Sequence, residues 1–171
     1  MDNILNLIDQ IYKRKKQLTL NIGYDFDGVL HVDVGPEDSQ GQRHPNNFTG
    51  PYTPFNEIIN QIKEEYRKGY NVYIITARGE YSKHTIRKFL DDNQLNFIQD
   101  DHIFFTHNRN KKDILRKYNI NIFYDDSCIR IKQLNDSKSK IPSLKKLYLV
   151  HPEKNSWTLI TDERLHNFCI K

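Results

Sequence analysis

From Leu18 to Val150, apolar runs of strand length alternate with patterns of helical spacing, and this order restricts the possible folds more than any other feature. Leu18, Leu20 and Ile22 mark a first strand ending at Tyr24. Phe55, Ile58, Ile59, Ile62 and Tyr66 follow as a helix capped by Thr53 and closed by Gly69. A second strand is expected over 71–76, a helix over about 81–93, a short strand over 103–105, a helix over 111–118, a strand over 120–124, and a helix over 128–134. A strand over 146–150 and a final one near 157–160 complete the series, and an amphipathic helix over 2–16, ending in Lys13-Arg14-Lys15-Lys16, precedes it. Near-continuous apolar strands separated by helices imply a mainly parallel sheet covered on both faces. The expected fold class is therefore a three-layer α/β/α sandwich with a Rossmann-like sheet. Right-handed crossovers then bring all the strand C-termini to one edge, where ligands bind.

Length and composition agree with one folded domain over 1–171. The chain has 171 residues, 37% hydrophobic and 28% charged, with 12% aromatic, too apolar for disorder at a mean hydropathy of −0.78. The longest apolar runs fall short of the roughly 18 residues needed to cross a bilayer, and Met1-Asp2-Asn3-Ile4 lacks the basic start of a signal peptide. A cytoplasmic location is expected, or a host cytoplasm if the abundant Asn, Ile and Lys reflect a viral genome. Cys128 and Cys169 lie far apart without ligand spacing, which argues against a disulfide framework or a zinc site. A net charge of +4 permits an anionic partner without requiring one. Residues 31–53, rich in Gly and Pro, read as a long loop near the site, and 151–171 as a C-terminal extension.

Four features fall at the carboxyl ends of successive strands: Asp25-x-Asp27, Thr76, the pair Lys111-Lys112, and Asp125-Asp126. Carboxylates converging on one crevice repel one another and hold their protons unless a cation is bound, so a hard divalent metal such as Mg²⁺ is implied. Gly28 permits a sharp turn after the first aspartates. Asp25-Phe26-Asp27-Gly28-Val29, then Ile74-Ile75-Thr76, then a downstream Lys, then Phe123-Tyr124-Asp125-Asp126 resemble the four motifs of the haloacid dehalogenase superfamily of aspartate-nucleophile phosphatases, over about residues 20–130.

That resemblance implies Asp25 as nucleophile forming an aspartyl-phosphate, and Asp27 as general acid/base. Thr76 would bind a phosphate oxygen, and Lys111 or Lys112 would balance charge in the transition state. Asp25, Asp27, Asp125 and Asp126 would hold the metal, and Gly28, Ala77 and Arg78 would contact substrate. Arg78, at the crevice rim, reads equally as a second phosphate contact or a plain surface residue. His31, His44, His84 and His107 read as substrate contacts or bystanders, and Tyr12, Tyr66, Phe89 and Phe104 as core. The short intervals between motifs leave no room for a folded cap, so the crevice is expected to be open unless the 31–53 loop or a second subunit of a homo-oligomer covers it. Capless members of the superfamily commonly act on macromolecular ends or phosphoproteins, or else use oligomerisation as a substitute cap. The first motif and the Thr-Ala-Arg segment further resemble polynucleotide phosphatases and small deoxyribonucleotidases. With the basic clusters Lys111-Lys112, Arg116-Lys117 and Lys138 to Lys146, the expected substrate is a nucleic-acid 3′-phosphate end or a nucleotide. A phosphatase for another phosphoester, or a catalytically silent binding module, is the alternative.

Overall fold

The computed structural model describes residues 19–36, 38 and 44–161, together with Ile4 and Asn6; the helix expected over 2–16 lies almost wholly outside the described residues. Six strands form one sheet: β1 (Asn21–Tyr24), β2 (Asn71–Thr76), β3 (Ile103–Phe105), β4 (Ile122–Asp125), β5 (Lys146–His151) and β6 (Ser156–Leu159). Their order is β3-β2-β1-β4-β5-β6. All neighbouring pairs are parallel except β5 and β6, whose short connection through Pro152–Lys154 permits an antiparallel hairpin.

Successive residues of a strand point to opposite faces, and the sheet divides its apolar residues accordingly. Ile22, Val72, Ile74 and Tyr124 join one core with α1 (Asn56–Arg67) and α2 (Lys83–Asp92). Tyr73, Ile75, Phe123 and Leu147 join the other with Leu115 of α3 (Lys112–Lys117) and Ile131 and Leu134 of α4 (Cys128–Asp136). This is the expected three-layer sandwich with a mostly parallel sheet. No described helix is long and apolar enough to cross a membrane.

Several local expectations are corrected. Phe55, not Thr53, occupies the N-cap of α1, and its extended backbone donates to Leu30 O (2.8 Å). Thr53 is drawn away because its amide and its hydroxyl (3.1 Å) both bond the Asp33 carboxylate. Gly69, at φ +83°, does close α1, its amide donating to Tyr66 O. Tyr66 itself is 49% exposed and stacks on Phe97 (3.9 Å) instead of entering the core. Cys128 is disulfide-bonded, which the wide spacing of the cysteines did not anticipate. Among the described residues of 31–53, only isolated bridges occur, pairing His31 with Asp27 and Pro54, and Val34 with Pro45.

The position of the sheet's two edges decides what the basic clusters can reach. Arg116 and Lys117 end α3, immediately before the start of β4, and Lys138 to Lys146 lead into the start of β5. Both clusters therefore sit at the amino-terminal edge of the parallel strands, away from the carboxyl edge. Lys111, by contrast, lies at the carboxyl edge beside the strand-end aspartates.

Candidate active site

At the end of β1 the ladder runs one residue further, Asp25 N–H donating to Tyr124 O (2.9 Å), before the chain breaks away. Asp25 Oδ1 accepts the Phe26 amide (2.7 Å), which fixes the carboxylate. Two residues on, Gly28 adopts φ +69°, and a Cβ built there would lie 2.0 Å from Asp126 Oδ2. Only glycine combines this left-handed turn with so close an approach to Asp126.

The end of β4 supplies the other carboxylates. Asp125 is fully buried; its Oδ1 accepts the Ser127 amide (2.9 Å), turning the chain into α4. Lys111, 2% exposed at the start of α3, places Nζ 2.8 Å from both Asp25 Oδ2 and Asp125 Oδ2. Lys112 is half-exposed, its amide bonded to Asn110, and does not line the cavity. The structure thus separates the two lysines that the sequence left equivalent, because the tight turn into α3 sends only the first inward.

One oxygen each from Asp25, Asp125 and Asp126 can be chosen so that all lie within 4.8 Å of one another. Lys111 offsets one of these charges. Burial, opposed by Lys111 and reinforced by Asp125, pushes the Asp25 carboxyl up to about 6. An all-oxygen, buried set with surplus negative charge suits a hard divalent cation, and its residues fit that group.

Asp27 falls outside that trio. Its Oδ2 accepts Arg78 Nε–H (2.9 Å), and its Oδ1 accepts Arg78 Nη2–H (2.6 Å) and the His31 Nε2 proton (3.0 Å). Burial would raise the Asp27 carboxyl, but these donors outweigh it and hold the group below its ordinary value. Arg78 is 4% exposed, not a surface residue; Nη1 also bonds Phe48 O (3.2 Å) and the Tyr52 hydroxyl (2.8 Å). Thr76 ends β2 fully buried, its hydroxyl accepting the Arg78 amide (3.2 Å), and it does not line the cavity. Ala77, Arg78 and Gly79 do line it.

The cavity over these groups measures about 490 Å³. Its floor is Asp25, Asp27, Lys111 and Asp126, and its outer wall includes Phe48, Tyr81, Arg109 and Arg130. The loop after β3 reaches it through two consecutive left-handed residues, His107 (φ 50°) and Asn108 (φ 61°), whose amides bond Arg78 O and Ala77 O. Of the histidines, His44 and His107 line the cavity, His31 is buried against Asp27, and His84 is exposed elsewhere. Arg130, Tyr81, Phe48, Asn108, Arg109 and Asn110, unlike His107, carried no sequence signal.

The 5′-nucleotidase family model matches residues 5–151. The chain belongs to the 5′-nucleotidase family. The family's name is that of a phosphoric monoester hydrolase. An Acanthamoeba polyphaga mimivirus protein described as uncharacterized protein L684 is 45% identical over 157 residues, or 89% of this chain. The chain spans about a third (32%) of that relative's length. No solved structure matches it.

Proposed function

We propose that this protein is a metal-dependent nucleotide phosphomonoesterase of the haloacid dehalogenase type, working through an aspartyl-phosphate on Asp25. The observation that carries this reading is the position of Asp25: held by the Phe26 amide, paired with Lys111, and lining the solvent-open cavity. Bound Mg²⁺, held by Asp25, Asp125 and Asp126, would offset the repulsion between carboxylate and phosphate. Lys111 adds a fixed positive charge beside the reacting oxygen.

In the first half-reaction an Asp25 oxygen bonds to phosphorus, the P–O ester bond breaks, and the leaving oxygen takes a proton from Asp27. In the second, Asp27 takes a proton from water, the water oxygen bonds to phosphorus, and the P–O bond to Asp25 breaks, releasing phosphate. The Arg78-bound carboxylate observed is the ionised form that serves the second step. Incoming phosphate competes for the guanidinium and frees Asp27 Oδ2, which takes from solvent the proton it donates in the first. Thr76 supports this loop from below by fixing the Arg78 amide.

A nucleotide is favoured over a polynucleotide end by the placement of charge. The clusters Arg116-Lys117 and Lys138 to Lys146 occupy the far edge of the sheet, so a strand engaged in the cavity would not run along them. Arg109 and Arg130 supply cations at the cavity wall, and Phe48 and Tyr81, 50% and 77% exposed, supply aromatic faces for a base. Family membership supports the same choice.

The test is hydrolysis of nucleoside monophosphates and of a 3′-phosphorylated oligonucleotide by the native chain and by Asp25→Asn with added MgCl₂. The native chain should prefer the mononucleotide with little salt dependence, and the variant should lose about 10⁴-fold or more in kcat. Normal turnover by Asp25→Asn refutes the mechanism. Preference for the oligonucleotide, with a steep salt slope, refutes the substrate.

A further inference from the structure

Asp27 has to give up and recover a proton without losing its aim, and the structure shows what holds it. His31 lies one turn further along the chain, fully buried, with Nε2 3.0 Å from Asp27 Oδ1. Its other ring nitrogen faces the Asp33 amide, which donates to Nδ1 (3.2 Å). A nitrogen that accepts cannot carry the ring proton, so the proton resides on Nε2 and points at Asp27. The ring cannot turn away: it stacks on Tyr52 (4.3 Å, 19° between planes) and meets the edges of Phe26 and Phe89 at 4.9 Å and 6.2 Å. A buried histidine of fixed tautomer, caged by three rings, with its one N–H on a catalytic carboxylate, is more than a space-filling core residue.

We propose that His31 is a positioning residue for proton transfer: it anchors Asp27 Oδ1 so that Oδ2 is the oxygen that exchanges the proton with the leaving group and with water. The assignment rests on the reading of Asp25 and Asp27 given above. Arg78 bonds both oxygens and lines the cavity, so it is open to competition from substrate phosphate. His31 is out of substrate's reach, and its bond to Oδ1 persists through both half-reactions. Protonation of Oδ2 leaves Oδ1 an acceptor, so the His31 bond survives the change in charge. Without His31, the carboxyl can rotate about its Cβ–Cγ bond and present either oxygen, and the alignment that general acid catalysis needs is lost.

The test separates positioning from folding by the leaving group. A nucleoside monophosphate expels an alkoxide, which needs a proton; p-nitrophenyl phosphate expels a stabilised phenolate, which does not. His31→Met keeps volume but no donor, while His31→Gln can place an amide N–H near the position of Nε2. In the full chain with MgCl₂, His31→Met should lose roughly 10²-fold in kcat on the nucleotide, the scale of general acid catalysis, with KM little changed. Its loss on p-nitrophenyl phosphate should be small, and His31→Gln should recover most of the nucleotide rate. Equal losses on the two substrates, nucleotide turnover unchanged in His31→Met, or a Gln variant no better than Met each overturn the assignment. Failure of the wider mechanism shows differently, as undiminished turnover by Asp25→Asn.

Discussion

β1 and β4 each close with a tyrosine followed by an aspartate, Tyr24-Asp25 and Tyr124-Asp125, and the alternation of the strands gives the two residue types different surroundings. Tyr24 stacks on Tyr124 (4.6 Å), which stacks on Tyr148 (4.6 Å), three residues in register on adjacent strands. Beneath α1, the Tyr24 hydroxyl donates to Glu65 (2.5 Å), and Gln61 Nε2 donates to Glu65 (3.0 Å) and to the hydroxyls of Tyr24 (3.1 Å) and Tyr124 (2.7 Å). Burial raises the Glu65 carboxyl and the Tyr24 phenol, so this cluster resists ionisation of its tyrosines. One residue along, Asp25 and Asp125 share a single lysine, with Asp126 alongside. The first cluster is closed by hydrogen bonds within the protein. The second carries more negative charge than Lys111 offsets, and that residual charge is what a cation can use.

The sharpest way to break this contrast is to remove the lysine. Lys111→Met should lower kcat on a nucleotide by roughly 10²- to 10³-fold, the scale of one electrostatic contact to a developing charge, while Lys112→Met leaves steady-state turnover essentially unchanged. Equal effects would mean that burial does not distinguish the two. Gly28→Ala should come next: the left-handed turn and the contact with Asp126 together predict a loss of about 1–3 kcal/mol in chemical denaturation, with activity falling in parallel.

Tyr24→Phe removes the donor to a buried Glu65 oxygen and should cost about 1–3 kcal/mol by the same measurement, without changing kcat. The carboxylate cluster should respond in the opposite sense. Asp25→Asn, without metal, should be as stable as the native chain or more so, by on the order of 1 kcal/mol at neutral pH, because an ionised, desolvated carboxylate has been removed.

The smallest effect is a pH dependence. Asp25 titrates near 6 in the folded metal-free protein against 3.8 when exposed, so between these values the native state binds more protons than the unfolded one. Its contribution to stability is therefore present at low pH and is lost as pH rises toward 6. A divalent cation competes with the same proton, and the rise in melting temperature produced by MgCl₂ should shrink as pH falls below about 6. A metal-induced shift independent of pH over this range would place the cation elsewhere.

The sequence by itself determined the order of elements, the mostly parallel sheet, and the delivery of Asp25, Thr76 and Asp125 to strand ends, with the pair Lys111-Lys112 in the connection after β3. These follow from hydrophobic period and turn chemistry, which act between near neighbours in the chain. Even there, the Thr53 cap failed, because its competing partner Asp33 lies 20 residues away. Only the tertiary structure decided that Lys111 turns inward and Lys112 does not, that Arg78 is buried against Asp27 across 51 residues, and that His31 is caged with one nitrogen committed to Asp33. The physical reason is that a side chain's partners in a crevice are set by how strands align side by side. That alignment depends on the packing of helices on both faces of the sheet, which no local window of sequence contains.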